Sequence, residues 1–273
     1  MPLPPLSKPT LAIMKSVLLF ASLVTLLTAQ SRAAEPDFKP LFNGKDLTGW
    51  DGNPALWSVE DGCITGKTQG PETLAYNQFL IWRGGVVKNF ELRAKVKQVG
   101  NNTGIQYRSK ELPEVGKWSV GGYQCDIHPA AANNAMLYGE KAGGILGQNG
   151  QSIVIDPEGK RWVVAQREPV KVDVAEWHEY TVIAQENRLV HKVDGQVTVE
   201  IVDHEEARRS LAGILAFQIH RGPAMTVQIK DVLLKELPDD GVAAFDKAAL
   251  PASATPAEKA KGQPKGKAKQ SPK

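Results

Sequence analysis

Three short segments of the chain alternate polar and apolar residues with the period of two that is typical of a half-buried β-strand. They span residues 106–108, 124–128 and 217–220. One face of these predicted strands carries seven polar side chains: Gln106, Arg108, Gln124, Asp126, His128, Gln218 and His220. With the neighbouring positions, the opposite face carries Ile105, Tyr107, Tyr123, Cys125, Ile127, Leu215, Phe217 and Ile219. The pattern predicts strands with one polar face and one face that packs in a core.

The chemical type of the polar residues indicates a ligand rather than a merely solvated surface. A strand face that needs only solubility usually carries Lys, Glu, Thr and Ser, whereas this one carries amides, imidazoles, one Arg and one Asp. Such groups donate and accept the hydrogen bonds that recognise the hydroxyls of a sugar-like molecule. A single His or Arg on a strand is more often structural, so the hypothesis depends on all seven residues sharing one face.

The rest of the central chain predicts strands joined by tight turns. Asp61-Gly62 and Asp194-Gly195 each separate two alternating segments, as in two-residue β-hairpins. Only residues 205–211 have a helical pattern, and helices do not alternate with the strands. We therefore predict a single all-β domain over residues 35–237, an antiparallel β-sandwich of the jelly-roll type.

The first 34 residues predict a signal peptide. Lys15 precedes an apolar run of twelve residues, 16–27, and small residues follow that run. The run is too short to cross a bilayer, which needs ~20 residues. Met14 is a better natural start than Met1, and a buried N-terminal helix is the alternative interpretation. We expect an exported protein, periplasmic or secreted, without stable membrane insertion.

Residues 238–273 are rich in Ala, Lys and Pro and predict a disordered basic tail. Residues 247–273 carry a net charge of +6, whereas residues 34–246 carry −6. The folded domain lacks the basic surface that nucleic-acid binding requires, so we expect no nucleic-acid partner for it. The tail has two interpretations, a solvated flexible end or a contact with anionic polymers of the cell envelope.

The chain has two cysteines, Cys63 and Cys125, and export would allow a disulfide between them. Cys125 lies on the predicted apolar face, which favours a buried thiol instead. The sequence has no cysteine spacing of the kind that binds metals.

A series of short segments, taken in order, resembles one protein family. The segments are 42–50 (FNGKDLTGW), 57–62 (WSVEDG), 89–92 (NFEL), 102–108 (NTGIQYR), 122–124 (GYQ), 177–180 (WHEY) and 213–220 (GILAFQIH). Together they resemble the 3-keto-disaccharide hydrolase domain family over residues 38–236. The resemblance implies a concanavalin A-like jelly roll, usually exported, with a site on the concave sheet. It also implies 3-keto-glucoside lyase or hydratase activity.

Two positions depart from the family's pattern. Arg221 separates His220 from Gly222, where the family often has Gly directly after the His. The family's closing Phe-Arg-Asn-Ile is replaced by Val-Gln-Ile-Lys at residues 227–230, so its arginine has no counterpart here. We therefore assign no role to an arginine in this last segment.

The implied reaction starts from a ketone on carbon 3 of a glucoside, which acidifies the proton on carbon 2. It needs a base for that proton, a cation or hydrogen-bond donor for the enolate oxygen, and an acid for the leaving aglycone. We predict His220 or Asp126 as the base, and Arg108 at the enolate oxygen. His128 is predicted to be a second proton-transfer group. The residues predicted to bind the sugar are Gln106, Gln124, Gln218 and, from the irregular stretch 129–150, Tyr138 and the candidate acid Glu140.

The reaction requires no cofactor, but a divalent metal acting as Lewis acid is an alternative. Asp126, His128 and His220 would be its ligands, since Asp-x-His spacing places two of them on one strand face. The partner that the resemblance implies is an oxidised (3-keto) glucoside or disaccharide.

Three other function classes are alternatives to this one. A retaining glycosidase needs two carboxylates ~5–5.5 Å apart, and the central strand offers only Asp126. A non-catalytic carbohydrate-binding module would display a row of aromatic rings, whereas none of the six Trp lies on the predicted polar face. Loops would have to supply them from Trp82, Trp118 and Trp162. The third class is a structural envelope protein tethered by its basic tail.

Overall fold

The structure, a computed structural model, describes residues 37–70 and 74–257. The predicted signal peptide, its start at Met14 and the tail beyond residue 257 lie outside the described residues. Export therefore stays a prediction. Within the described ranges, no helix is long and apolar enough to cross a membrane.

The described residues form eighteen β-strands and two short 3-10 helices, Ala131–Asn133 and Lys247–Ala249. The strands are β1 (Lys39–Pro40), β2 (Trp50–Asp51), β3 (Trp57–Glu60), β4 (Cys63–Thr68), β5 (Gln78–Trp82), β6 (Phe90–Gly100), β7 (Thr103–Glu111), β8 (Val120–Ile127), β9 (Leu137–Glu140), β10 (Gly144–Gly147), β11 (Gln151–Ile155), β12 (Arg161–Gln166), β13 (His178–Gln185), β14 (Arg188–Val193), β15 (Gln196–Asp203), β16 (Ile214–Ile219), β17 (Met225–Glu236) and β18 (Thr255–Pro256). The all-β prediction is confirmed.

The strands form two sheets that pack face to face as a sandwich. The larger sheet has the order β18-β12-β11-β15-β14-β13-β6-β17-β4-β3, with β1 also paired to β17. The smaller sheet has the order β10-β9-β8-β7-β16-β5-β2. All neighbours are antiparallel except β11 and β15, which run parallel. The crossovers between distant strands are those of a jelly roll.

Both predicted hairpin turns are present, and their backbone explains their sequence. Asp61 and Gly62 have φ of 50° and 71°, and Asp194 and Gly195 have φ of 48° and 78°. Positive φ at both central residues suits the twist of a two-residue hairpin, and Asp-Gly tolerates it at low cost. The predicted helix at 205–211 is instead a turn, in which the N–H groups of Arg208 and Arg209 donate to the Glu205 carbonyl.

The core lies between the two sheets and contains every residue of the predicted apolar face. Tyr107 is at its centre, where its ring contacts Phe90, Tyr123 and His191. Its hydroxyl also lies 2.8 Å from Nε2 of His191 on β14, in the opposite sheet. Both cysteines are buried free thiols. The alternation therefore identified the side of the smaller sheet that packs in the core.

The C-terminal boundary of the domain differs from the prediction. Residues 238–257, predicted to be disordered, run along the sandwich and end in β18, which pairs with β12. Phe245 packs its ring 5.3 Å from that of His204, and Ala257 N donates to Arg161 O. Few large apolar residues were visible in this segment, but β12 offered an open edge whose backbone groups a further strand could satisfy.

Candidate active site

The three segments of alternating polarity are neighbouring strands of the smaller sheet. β7 lies between β8 and β16 and runs antiparallel to both. Gln106 on β7 faces Gln124 on β8 and Ala216 on β16, while Gly104 faces Asp126. We use the name polar face for the side of this sheet turned away from the core. The predicted residues on it are Gln106, Gln124, Asp126, Tyr138, Glu140 and Gln218, with His128 and His220 at its edge.

Arg108 is not on the polar face, so the prediction that it shares this face is wrong. Its φ is 46°, and the pairing of β7 with β8 shifts register between Tyr107 and Lys110. This bulge turns the side chain to the other side of the sheet, because it breaks the alternation on which the prediction depended. Arg108 is 1% exposed. Its role is structural, because it binds loops of the sandwich to each other.

The contacts of Arg108 are all structural. Its Nε donates to the Lys88 carbonyl at 2.7 Å, and Nη2 donates to Asn89 Oδ1 at 3.0 Å. Nη1 donates to the carbonyl of Glu186 in the β13–β14 turn. Every nitrogen of the guanidinium thus has a partner, and none faces a ligand.

A row of hydrogen bonds crosses the polar face and ends on Asp126. Ser109 Oγ donates to Gln106 Oε1 at 2.6 Å, and Gln106 Nε2 donates to Gln124 Oε1 at 2.9 Å. Gln124 Nε2 then donates to Asp126 Oδ1 at 2.8 Å. Gly104 makes room for this row, since a Cβ there would lie 2.5 Å from Gln124 Cδ. Each amide is therefore held in one orientation.

Asp126 is a buried carboxyl with a strongly shifted proton affinity. Burial raises its pKa from 3.8 to about 7, and the nearby Glu140 carboxyl adds to the rise. Hydrogen bonds from Gln124 and from Asn102 Nδ2, at 3.3 Å, act in the opposite direction. A carboxyl that titrates near neutrality suits proton transfer at physiological pH.

His128 and His220 lie at the same edge of the polar face. Each directly follows the last residue of its strand, β8 and β16, and these strands run in the same direction on either side of β7. Both rings are half-buried, and burial lowers the pKa of each. The charges of Arg221 and His128 lower the pKa of His220 further. This edge is the accessible part of the site.

Two asparagines between these strands contact the proton-transfer groups. Asn101 Nδ2 lies 3.1 Å from His220 Nδ1, and Asn102 Nδ2 contacts Asp126 as described above. Both precede β7 directly, so they sit between the ends of β8 and β16. Sequence reasoning missed Asn101 and Asn102 as site residues. Their position just before the first strand of alternating polarity was the available signal.

Glu140 and Tyr138 belong to strand β9 rather than to an irregular loop. Tyr138 faces Gln124, and Glu140 faces Gly122, in the pairing of β9 with β8. Burial raises the pKa of both groups. Asn77 Nδ2 lies 3.4 Å from Glu140 Oε1, so a residue preceding β5 reaches across to this carboxyl. The polar face thus contains a second carboxyl beside Asp126.

Gln218 differs from the other glutamines of the polar face because its side chain makes no hydrogen bond to any described residue. Its Oε1 is buried without a partner. A buried acceptor without a partner is costly, and native structures usually satisfy such groups. A ligand hydroxyl would remove that cost.

On the same side of the sheet, the part next to β5 carries apolar side chains, and Trp118 covers them. Phe79 and Ile81 on β5 pack with Ala216 and Val120, and Trp118 lies against this cluster. Trp118 Nε1 donates to Asp51 Oδ1 at 2.9 Å, which holds the ring in place. Trp118 therefore acts here as a cover for apolar side chains.

The described residues do not contain a metal-binding arrangement. No three His, Cys, Asp or Glu side chains among them are placed to hold an ion, and this includes Asp126, His128 and His220. Asp126 instead accepts hydrogen bonds from two amides through Oδ1. The arrangement of these three side chains therefore does not fit a metal ion.

A comparison with protein families gives one match that covers most of the chain. A family profile described as "3-keto-alpha-glucoside-1,2-lyase-like domain" matches residues 37–235. The chain belongs to this family. The resemblance noted in the sequence is thereby confirmed. A comparison with curated proteins finds no match.

Solved structures with the same fold have low sequence identity to this member of the lyase-like family. One is a "putative glycosyl hydrolase" from Parabacteroides distasonis, with a TM-score of 0.51 and 17% identity over 73% of this chain and 99% of its own. A second from the same organism has a TM-score of 0.49 and 21% identity over 74% of this chain and 95% of its own. The carbohydrate-binding module CBM66 from Bacillus subtilis has a TM-score of 0.48 and 12% identity, over 69% and 96%. The likeness to the first of these structures shows the fold alone, a β-sandwich of the jelly-roll type.

Proposed function

We propose that this domain cleaves an oxidised glucoside or disaccharide, a 3-keto sugar, by eliminating the group on carbon 1. One observation carries the proposal. Asp126 and Gln218 lie on the polar face with His128 and His220 at its edge, burial raises the pKa of Asp126 to about 7 and lowers the pKa of both histidines, and Gln218 Oε1 has no partner among the described residues. Proton-transfer groups beside free hydrogen-bonding groups are what this elimination needs. Membership of a family described as 3-keto-alpha-glucoside-1,2-lyase-like supports this choice of substrate class.

The bond changes follow from the ketone on carbon 3. A base, His220 or Asp126, removes the proton on carbon 2, and its electrons move onto the carbon 3 oxygen as an enolate. The enolate then restores the ketone, forms the double bond between carbons 1 and 2, and expels the aglycone oxygen from carbon 1. We assign the protonation of that oxygen to Glu140, whose pKa burial raises. Addition of water to the resulting glucal completes a net hydrolysis.

The enolate oxygen needs a donor other than Arg108, which lies on the core side of the sheet. The amide of Gln218 and the Nε2 side of His128 are free of hydrogen bonds to the described residues, and both face this region. Gln106 and Gln124 are engaged with each other and with Asp126, so they shape the floor of the site. Tyr138, half-buried at its side, is proposed to contact the sugar ring.

The direct test follows aglycone release from a 3-keto-glucoside and, in parallel, from the same glucoside before oxidation. Release from the 3-keto compound alone supports the proposal. Release from the unoxidised compound would replace it with ordinary glycoside hydrolysis by the Asp126 and Glu140 carboxyls. Binding without release, measured by calorimetry, would instead identify a carbohydrate-binding module.

The binding-module alternative is weaker on structural grounds. Its usual platform is a row of exposed aromatic rings. Trp118 packs on apolar residues, Trp82 is in β5 with its ring partly packed on the core, and Trp162 belongs to the larger sheet. None of these rings joins Tyr138 in a platform on the polar face.

A further inference from the structure

We infer that His220 and His128 hold opposite tautomers, with the proton of His220 on Nδ1 and that of His128 on Nε2. His220 Nε2 is then a proton acceptor and His128 Nε2 a donor, and Asn101 is the positioning residue that maintains the arrangement. The tautomers follow from the structure of the free protein. Only their roles in turnover, His220 as base and His128 as donor to the enolate oxygen, rest on the proposed function.

The tautomer of His220 follows from the carbonyl of the next residue. Nδ1 lies 2.5 Å from Arg221 O, a distance that requires a proton between them because two lone pairs would repel. Asn101 Nδ2 also lies 3.1 Å from Nδ1, which taken alone would favour a bare Nδ1. The Asn101 amide can instead donate to Arg221 O, which also lies 3.1 Å away. The short contact between Arg221 O and His220 Nδ1 has no such alternative and requires a proton on Nδ1.

The backbone of Arg221 is held on both sides of its Cα, through its N–H and through its carbonyl, which makes that carbonyl a fixed partner for the ring. Its N–H donates to Asn77 Oδ1 at 3.0 Å, and its oxygen accepts from Asn101 Nδ2. The amide of Asn101 is itself oriented, because its Oδ1 accepts from Asn102 N at 2.9 Å. Arg221, an insertion relative to the family pattern, thus supplies the group that orients His220.

The tautomer of His128 follows from a backbone donor. Ala130 N donates to His128 Nδ1 at 2.9 Å. A backbone N–H has only a proton to offer, so Nδ1 must present its lone pair. The neutral ring then carries its proton on Nε2. Burial lowers the pKa of both histidines, which favours the neutral form of each ring.

The two rings therefore offer complementary groups at one edge of the polar face. Neither Nε2 has a hydrogen-bond partner among residues 37–70 and 74–257, so both are available to a ligand. A molecule bound there would meet an acceptor from β16 and a donor from β8. In the proposed reaction His220 removes the proton and His128 donates to the enolate oxygen, the role that the sequence predicted for Arg108.

The experiment is long-range 1H–15N correlation NMR of the 15N-labelled protein without substrate at about pH 7.5. We expect His220 to be protonated on Nδ1 and His128 on Nε2. Two buried histidines serve as internal references. His191 Nδ1 faces Ala135 O at 3.2 Å and should carry the proton, whereas His204 Nδ1 faces Asn187 Nδ2 at 3.2 Å and should be bare. Identical tautomers for His128 and His220, or a proton on His220 Nε2, would overturn the inference.

A matched pair of variants tests the part played by Asn101. Asn101→Ala should shift His220 toward a mixture of tautomers and lower kcat on a 3-keto-glucoside by about tenfold, part of the 10²–10⁴ that a general base contributes. Asn102→Ala, whose side chain bonds Asp126 instead, should leave the His220 tautomer unchanged. An unchanged His220 tautomer in Asn101→Ala would remove its positioning role. If no 3-keto sugar is turned over at all, the proposed function fails while the NMR result still decides the tautomers.

Discussion

Two polar clusters in this molecule differ in how completely their hydrogen bonds are satisfied. Around Arg108, on the core side of β7, each guanidinium nitrogen has an oxygen partner. Around Gln218 and the two histidines, on the polar face, an amide and two ring nitrogens have none among the described residues. A saturated cluster stabilises a fold, whereas an unsaturated one is prepared for a ligand.

The largest expected effect on the saturated cluster is that of Arg108→Met. The change leaves the buried oxygens of Lys88, Glu186 and Asn89 without their hydrogen-bond donor. We therefore expect the free energy of unfolding to fall by about 3–5 kcal/mol. Urea denaturation measures this. The protein that remains folded should keep its kcat, and a specific loss of kcat at wild-type stability would return Arg108 to the catalytic machinery.

The matching effect on the unsaturated cluster is that of His220→Ala. Turnover of a 3-keto-glucoside should fall by about 10²–10⁴ or to nothing, since the base is lost. Stability should change little, because the ring makes few contacts with the core. His178→Ala is the control, as His178 bonds Asp194 and Asp173 away from the polar face. Unchanged activity in His220→Ala would exclude this residue from the mechanism.

The raised pKa of Asp126 on the polar face predicts a pH dependence of the protein's stability. Its folded pKa of about 7 lies above the ordinary 3.8, so the folded state binds the proton more tightly in that window. This contribution to stability is fully present below about pH 4 and is lost as pH rises through 7. Asp126→Asn should therefore flatten the fall in melting temperature between about pH 5 and pH 8.

The control for this measurement is Asp46→Asn. Hydrogen bonds from Thr48 and Asn43 lower the pKa of Asp46 to about 2, so this group does not titrate between pH 5 and pH 8. The slope of melting temperature against pH should be the same as in the wild type. A wild-type slope in Asp126→Asn would show that Asp126 is not the titrating group.

The smallest effects are expected for two glutamines of the polar face. Gln218→Met removes an unpartnered acceptor, so the free energy of unfolding should stay level or rise by up to about 1 kcal/mol while sugar affinity falls. Gln124→Met breaks bonds to Gln106 and Asp126 and should cost about 1–3 kcal/mol. Chemical denaturation with and without a 3-keto-glucoside measures both. Equal losses of stability would contradict the distinction between a hydrogen-bonded and an unpartnered glutamine on the polar face.

The polar and apolar faces of β7, β8 and β16 could be predicted because a regular strand turns successive side chains to opposite sides. That rule placed Gln106, Gln124, Asp126 and Gln218 together on one face, and their neighbours in the core. The rule failed at Arg108 for a local reason. This residue has a positive φ within a β-bulge, and a bulge turns its side chain to the face opposite the one that regular alternation predicts.

The sequence by itself determined the all-β sandwich, the two Asp-Gly turns, the family and most residues of the polar face, because these depend on short-range periodicity and turn chemistry. Only the tertiary structure decided which of the buried polar groups are satisfied. The partners of Arg108 are 19 to 78 positions away in the chain, Asn101 meets His220 across 119 positions, and Asn77 meets Glu140 across 63. Such contacts depend on how strands and loops pack in space, and no local pattern encodes them.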